Sequence, residues 1–190
     1  MNLLITGLFI WSVVHLFPSL APNARKSLIT KLGEVPYQAL FAVCIVTGLG
    51  MIIFGWRGMI PSHVYLPPPG LRHFAMLLVV FGFILMVAAN FSKTRVKRFI
   101  RHPQLSGVLL WAIAHLIANG DSRSLLLFSV IAIWTLVSML TINRREGDWQ
   151  KPQSVMPLYK ESIIVIFGVV LAATVLRFHV YLSGVPLIGG

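Results

Sequence analysis

Two histidines stand where an ionisable side chain is expensive. His15 and His115 lie inside the apolar runs LFIWSVVHLF and VLLWAIAHLI, with no carboxylate near either in sequence. Each follows a tryptophan by four residues and a glycine by eight: Gly7-x-x-x-Trp11-x-x-x-His15 and Gly107-x-x-x-Trp111-x-x-x-His115. Steps of four place all three residues of each set on one helix face. Inside a membrane helix such a histidine faces a bundle interior, a cavity or a cofactor. A neutral imidazole is a good ligand for iron, copper or zinc. No Glu-x-x-His pair, cysteine cluster or His-Glu-x-x-His motif accompanies them, so di-iron and protease-type zinc chemistry are unsupported. Two lone histidines with Trp and Gly beside each suit a flat apolar macrocycle. The glycines leave room for the ring, and the histidines bind its iron axially. The expected site is therefore His15 and His115 as iron ligands of one such macrocycle, with Gly7, Trp11, Gly107 and Trp111 beside it. The competing reading for each histidine is an interhelical hydrogen bond.

The elements that must position these residues follow from composition. Of 190 residues, 57% are hydrophobic and 11% charged, against about a quarter charged in a soluble domain. Mean hydropathy is +0.84, and apolar runs recur at about 20 residues, the length that crosses a bilayer. The class expected is an all-α, polytopic membrane bundle of about six helices in a single domain, 1–190. The spans are read as 2–20, 36–56, 71–91, 103–119, 123–142 and 161–182, with loops at 21–35, 57–70, 92–101 and 143–159 and a tight turn at 120–122. Pro18 bends or ends the first helix, Pro67 to Pro69 form a stiff extended run, and Pro186 ends the last helical stretch. The stretch 1–20 does not read as a signal peptide, because its positive charges follow the apolar run. Cys44 is the only cysteine, so no intrachain disulfide forms.

Charge sets the topology. The net charge is +11, and twelve of the sixteen basic residues fall in the first, third and fifth loops when Lys160 is counted with the fifth. The positive-inside rule puts those loops in the cytoplasm and both termini outside. The basic loop 92–101 is read as contacting anionic lipid head groups rather than nucleic acid. His63, His73 and His179, with Arg57, Arg72 and Arg177, gather toward the outer side and read as interfacial groups. The echo of Gly-Trp-His between the first and fourth helices would fit a 3+3 inverted repeat. The two histidines sit at depths differing by roughly 10–12 Å at about 1.5 Å rise per residue. An apolar small molecule or polyene is an admissible partner, and oligomeric state is unassigned.

The opening GLFIWSVVHLFPSLAPNAR and LGEVPYQALFAVCIVTGLGMIIFGWR, the stretch RHPQLSGVLLWAIAHLIANGD and the later segment ending in SVMPL resemble the NnrU family of bacterial membrane proteins. That resemblance implies a multi-pass protein of the bacterial inner membrane linked to nitrite and nitric oxide reduction in denitrification. The family is similar to the plant zeta-carotene isomerase, a membrane enzyme that uses haem b for cis–trans isomerisation of a polyene. By that similarity His15 and His115 stand at matching ligand positions, which implies that they hold haem b and are the catalytic groups. Arg101-His102-Pro103 followed by Gly107 is also similar to the cofactor helix of isoprenylcysteine-type methyltransferases, which implies S-adenosylmethionine. Those enzymes carry a paired-glutamate segment downstream; the corresponding segment here, Arg144-Arg145-Glu146-Gly147-Asp148, has a single glutamate. A non-catalytic assembly factor is the third class.

Overall fold

The computed structural model describes residues 1–68 and 70–184, apart from the side chain of Leu182. The expectations for Pro69 and Pro186 lie outside the described residues. The helices are α1 (Asn2–Leu20), α2 (Pro22–Leu32), α3 (Glu34–Gly58), α4 (Leu71–Ala88), α5 (Val96–Phe99), α6 (Pro103–Ala118), α7 (Ser122–Glu146), α8 (Leu158–Arg177) and α9 (His179–Ser183). The protein is all-α and polytopic, as composition required. Five helices, α1, α3, α4, α7 and α8, are long and apolar enough to cross a membrane. α6, expected as a full span, has 16 residues, about 24 Å against a hydrocarbon core of about 30 Å. Large apolar side chains such as Phe9, Phe54, Phe81 and Phe167 stand exposed on these helices, the surface that suits hydrocarbon as solvent.

Some stretches differ from expectation, while α1 keeps its expected bounds. The first loop contains a helix, α2, with Pro22 in its first turn, where a missing N–H costs nothing. Gly33, at φ 85°, ends it and turns the chain into α3. α1 runs through Pro18 to Leu20; in the last turn a proline removes only one backbone bond. The last helix is interrupted at Phe178 (φ −98°, ψ 8°), which separates α8 from α9.

The chain forms two compact units that interleave in sequence. The first comprises Met1–Leu66 and Asn119–Asp148. In it α1 packs along both α3 and α7, burying Leu4 and Leu8 completely or nearly so. Close approach rests on glycine: a Cβ added at Gly7 would lie 2.8 Å from Ile52 N and 2.9 Å from Gly48 O, and one at Gly55 would lie 2.7 Å from Leu4 Cα. Small residues drive helix association in lipid because backbones can then touch. Where α7 begins, Asp121 caps it by accepting from Ser124 N at 3.0 Å. His63 bridges to Asp121, and Ser122 N donates to Ser62 O at 2.9 Å. Arg123 lies over the Trp56 ring at 4.5 Å.

The second unit comprises Pro67–Ala118 and the described part of Trp149–Gly190. α4 packs against both α6 and α8, around Ala75, Val79 and Ala114 with Trp111 against them, and around Val87, Ala88 and Ile164. Gly82 and Gly107 meet face to face: a Cβ on Gly82 would lie 2.8 Å from Gly107 O. The basic loop is tied to its own unit by hydrogen bonds. Lys97 Nζ donates to Ala89 O at 2.7 Å, and Arg98 donates to Pro152 O at 3.1 Å and Gln153 O at 2.7 Å. Arg95 N donates to Glu161 Oε1 at 2.7 Å. Lys97 and Arg98 thus satisfy carbonyls left open at a helix end and in the 147–157 segment.

Candidate functional site

Each Gly-Trp-His set is built the same way within its own unit. On α1, His15 Nδ1 lies 2.8 Å from Trp11 O. On α6, His115 Nδ1 lies 2.8 Å from Trp111 O. A carbonyl oxygen only accepts, so Nδ1 carries the proton in both, and in the neutral ring Nε2 carries the lone pair. The carbonyl has two lone pairs, enough for the helix's own i+4 N–H and for the imidazole. Fixing the tautomer through Nδ1–H is how proteins prepare a histidine to bind metal at Nε2. Both histidines are half-buried.

The tryptophans lie against their own histidines. Ring centres are 4.0 Å apart for Trp11 and His15 and 4.7 Å for Trp111 and His115. The four-residue spacing makes this contact. In the first unit, Trp134 of α7 presents its ring to His15 edge to face at 5.5 Å, and Phe41 of α3 does so at 6.1 Å. Trp134 Nε1 and Ser12 Oγ are buried there without a hydrogen-bond partner among the described residues.

The glycines have a different role from the one expected. The space that Gly7 opens is taken by Gly48, Met51 and Ile52 of α3, and the space that Gly107 opens by Gly82 and Met86 of α4. Neither leaves room for a ring on that side; each sets the height at which the histidine's helix crosses its neighbour.

Sequence reasoning placed His179 among interfacial groups. Instead, α9 brings its ring to 6.3 Å from that of His115, at 29° between planes. His63 forms an isolated backbone β-bridge with Asp121 in the first unit, and His73 is exposed in the second. The signal for His179 was present in the chain as His179-x-x-x-Ser183, a spacing that lets the serine hold the imidazole from the next turn. Of the expected site residues, Gly7, Trp11 and His15 belong to the first unit and Gly107, Trp111 and His115 to the second.

Among the described residues no three His, Cys, Asp or Glu side chains converge as a metal group. The donor sets present are single or paired imidazoles, which fit a macrocycle that already supplies four nitrogens better than a bare ion needing three or four protein ligands. The Arg101-His102-Pro103 triplet opens α6, where Ser106 N donates to His102 O at 2.8 Å. Glu146, in the other unit, pairs with Arg145 at 3.0 Å.

No curated protein and no solved structure matches the chain. The family model described as NnrU protein matches residues 3–187, nearly the whole chain, and the protein belongs to the NnrU family.

Proposed function

We propose that the protein is an integral-membrane haem b protein that takes haem iron on Nε2 of His15 and His115. The observation that supports this reading is the shared local geometry: the same Nδ1–H to Trp carbonyl bond, which leaves the lone pair of both imidazoles at Nε2. The bound haem would supply a redox-active Lewis acid, fitted to nitrogen oxide chemistry or to cis–trans isomerisation of a polyene. The chain's own part is to hold the imidazoles. Trp11 and Trp111 fix tautomer and ring plane, and Gly7 and Gly107 fix helix height. Trp134 and Phe41 pack against His15.

The test is absorption spectroscopy of detergent-purified protein supplied with haem, oxidised and reduced. The expected result is a haem spectrum in the natural chain, less haem per chain or an altered spectrum in His15→Ala and in His115→Ala, and none in the double variant. His→Gln variants control for the cavity that truncation opens. His102→Ala retains the spectrum. A folded natural chain that stays colourless overturns the reading. If such a chain binds S-adenosylmethionine, the methyltransferase reading replaces it; if it binds neither, an assembly factor does.

A further inference from the structure

In the first unit, α2 carries an apolar strip that the described residues leave uncovered. Ala24, Leu28 and Leu32 recur at steps of four and share one face. All three are exposed, and Ile29 alone of the eleven residues of α2 is even half-buried. Arg25 stands three residues before Leu28 and Lys31 three after it, so one cation flanks the strip on each side. Asn23, Lys26 and Thr30 occupy the opposite face, where Thr30 Oγ1 donates to Lys26 O at 3.0 Å.

The charge of this helix has one sign. α2 contains Arg25, Lys26 and Lys31 and no carboxylate. None of the three forms an ion pair among the described residues. Arg25 lies 5.9 Å from the centre of the Tyr37 ring, a contact that leaves its five N–H donors available. Glu34, just beyond the helix, accepts from Gln38 Nε2 at 3.3 Å.

The chain also sets the depth of α2. Ala21 alone separates it from α1, and Gly33 alone separates it from α3. α1 and α3 are both long and apolar enough to cross a membrane, and one residue reaches at most about 3.6 Å. Both ends of α2 are therefore held where two spans leave the hydrocarbon. A helix at that depth, apolar on one face and cationic along its edges, suits the membrane interface, with its long side chains reaching up to the head groups. Anionic lipid is the occupant that matches its charge.

We infer that α2 lies in the plane of the membrane surface. Ala24, Leu28 and Leu32 meet the boundary of the acyl chains, and Arg25, Lys26 and Lys31 take the head groups of anionic lipids. The haem reading has no part in this.

The experiment uses the full chain in a Cys44→Ala background, with a nitroxide attached at Leu28→Cys or at Asn23→Cys. Each labelled protein is placed in vesicles of phosphatidylcholine alone or of phosphatidylcholine with phosphatidylglycerol. Power-saturation electron paramagnetic resonance then compares access by oxygen, which favours lipid, with access by a water-soluble nickel chelate. The expected oxygen-to-nickel ratio at Leu28→Cys is several times that at Asn23→Cys, and it rises further when phosphatidylglycerol is present. Replacing Arg25, Lys26 and Lys31 together by Gln removes that rise. A Leu28→Cys label as open to nickel as the Asn23→Cys label means that the strip faces water and overturns the inference. A label closed to both reagents means that protein covers the strip, and overturns it equally. A ratio that ignores phosphatidylglycerol, or a rise that survives the triple Gln variant, overturns the assignment of the cations to anionic head groups.

Discussion

Gly7→Ala isolates what the glycine of the Gly-Trp-His pattern contributes. The added methyl group would sit 2.8 Å from Ile52 N, 2.8 Å from Met51 Cβ and 2.9 Å from Gly48 O. Two of these are backbone atoms of α3 and the third is fixed to the backbone, so no side-chain rotation relieves the contact. Ordinary contact begins near 3.4 Å, so α1 and α3 must part by about half an ångström along their closest line. Overpacking of this kind costs about 1–3 kcal/mol. The better helix propensity of alanine returns at most about 1 kcal/mol. The net loss is about 1–2 kcal/mol, a five- to thirty-fold drop in the folded-to-unfolded ratio. Gly50→Ala on α3 is the matched control, since nothing lies within 4 Å of its added Cβ; it keeps the propensity gain alone and is neutral or slightly stabilising. Reversible unfolding in mixed micelles of increasing sodium dodecyl sulfate, followed by tryptophan fluorescence, reads both. Equal midpoints for the two variants would refute the account of Gly7 as the contact point of α1 on α3.

Asp121→Ala removes the cap that accepts from Ser124 N and Ser124 Oγ and should lower stability by about 1 kcal/mol, a drop in Tm of about 2–4 °C for a chain of this size. Asp121→Asn should recover most of it; a thermal melt in which both variants equal the natural chain would show that the start of α7 is held by other contacts. For topology, an impermeant maleimide added to intact cells should label Val64→Cys but not Lys93→Cys, both in a Cys44→Ala background. The reverse pattern would invert the orientation drawn from the charge distribution.

The sequence carried the helices because lipid demands apolar runs of a fixed length, and those runs are visible without any knowledge of packing. It missed α2 because charged residues at 25, 26 and 31 made the stretch look like a loop. Helix formation there depends on Pro22 and on the Gly33 turn. It did not show the hydrogen bonds of Lys97 and Arg98 for a related reason. Charge reports which side of a membrane a loop occupies, but not whether a guanidinium is spent on lipid phosphate or on the carbonyls of Pro152 and Gln153. The position of His179 depends on a helix break at Phe178 with no proline or glycine to announce it, so only the folded chain shows that ring beside His115.

What spacing could disclose was the local construction around each histidine. Eight residues from glycine to histidine make just over two turns, and everything that spacing controls recurs in both units. The glycine touches a glycine of the neighbouring helix, Gly48 or Gly82; the tryptophan backbone N–H lies 3.2 Å or 3.6 Å from where that neighbour's Cβ would be; the histidine returns its Nδ1 proton to the tryptophan carbonyl. What spacing does not control differs. In the first unit the neighbour is α3, which follows the histidine helix in the chain; in the second it is α4, which precedes it. The same glycine contact is thus made with a neighbour on opposite sides in chain order. A glycine, a tryptophan and a histidine at steps of four suffice to bring two helices into backbone contact and to aim an imidazole lone pair, whichever side of the chain supplies the second helix.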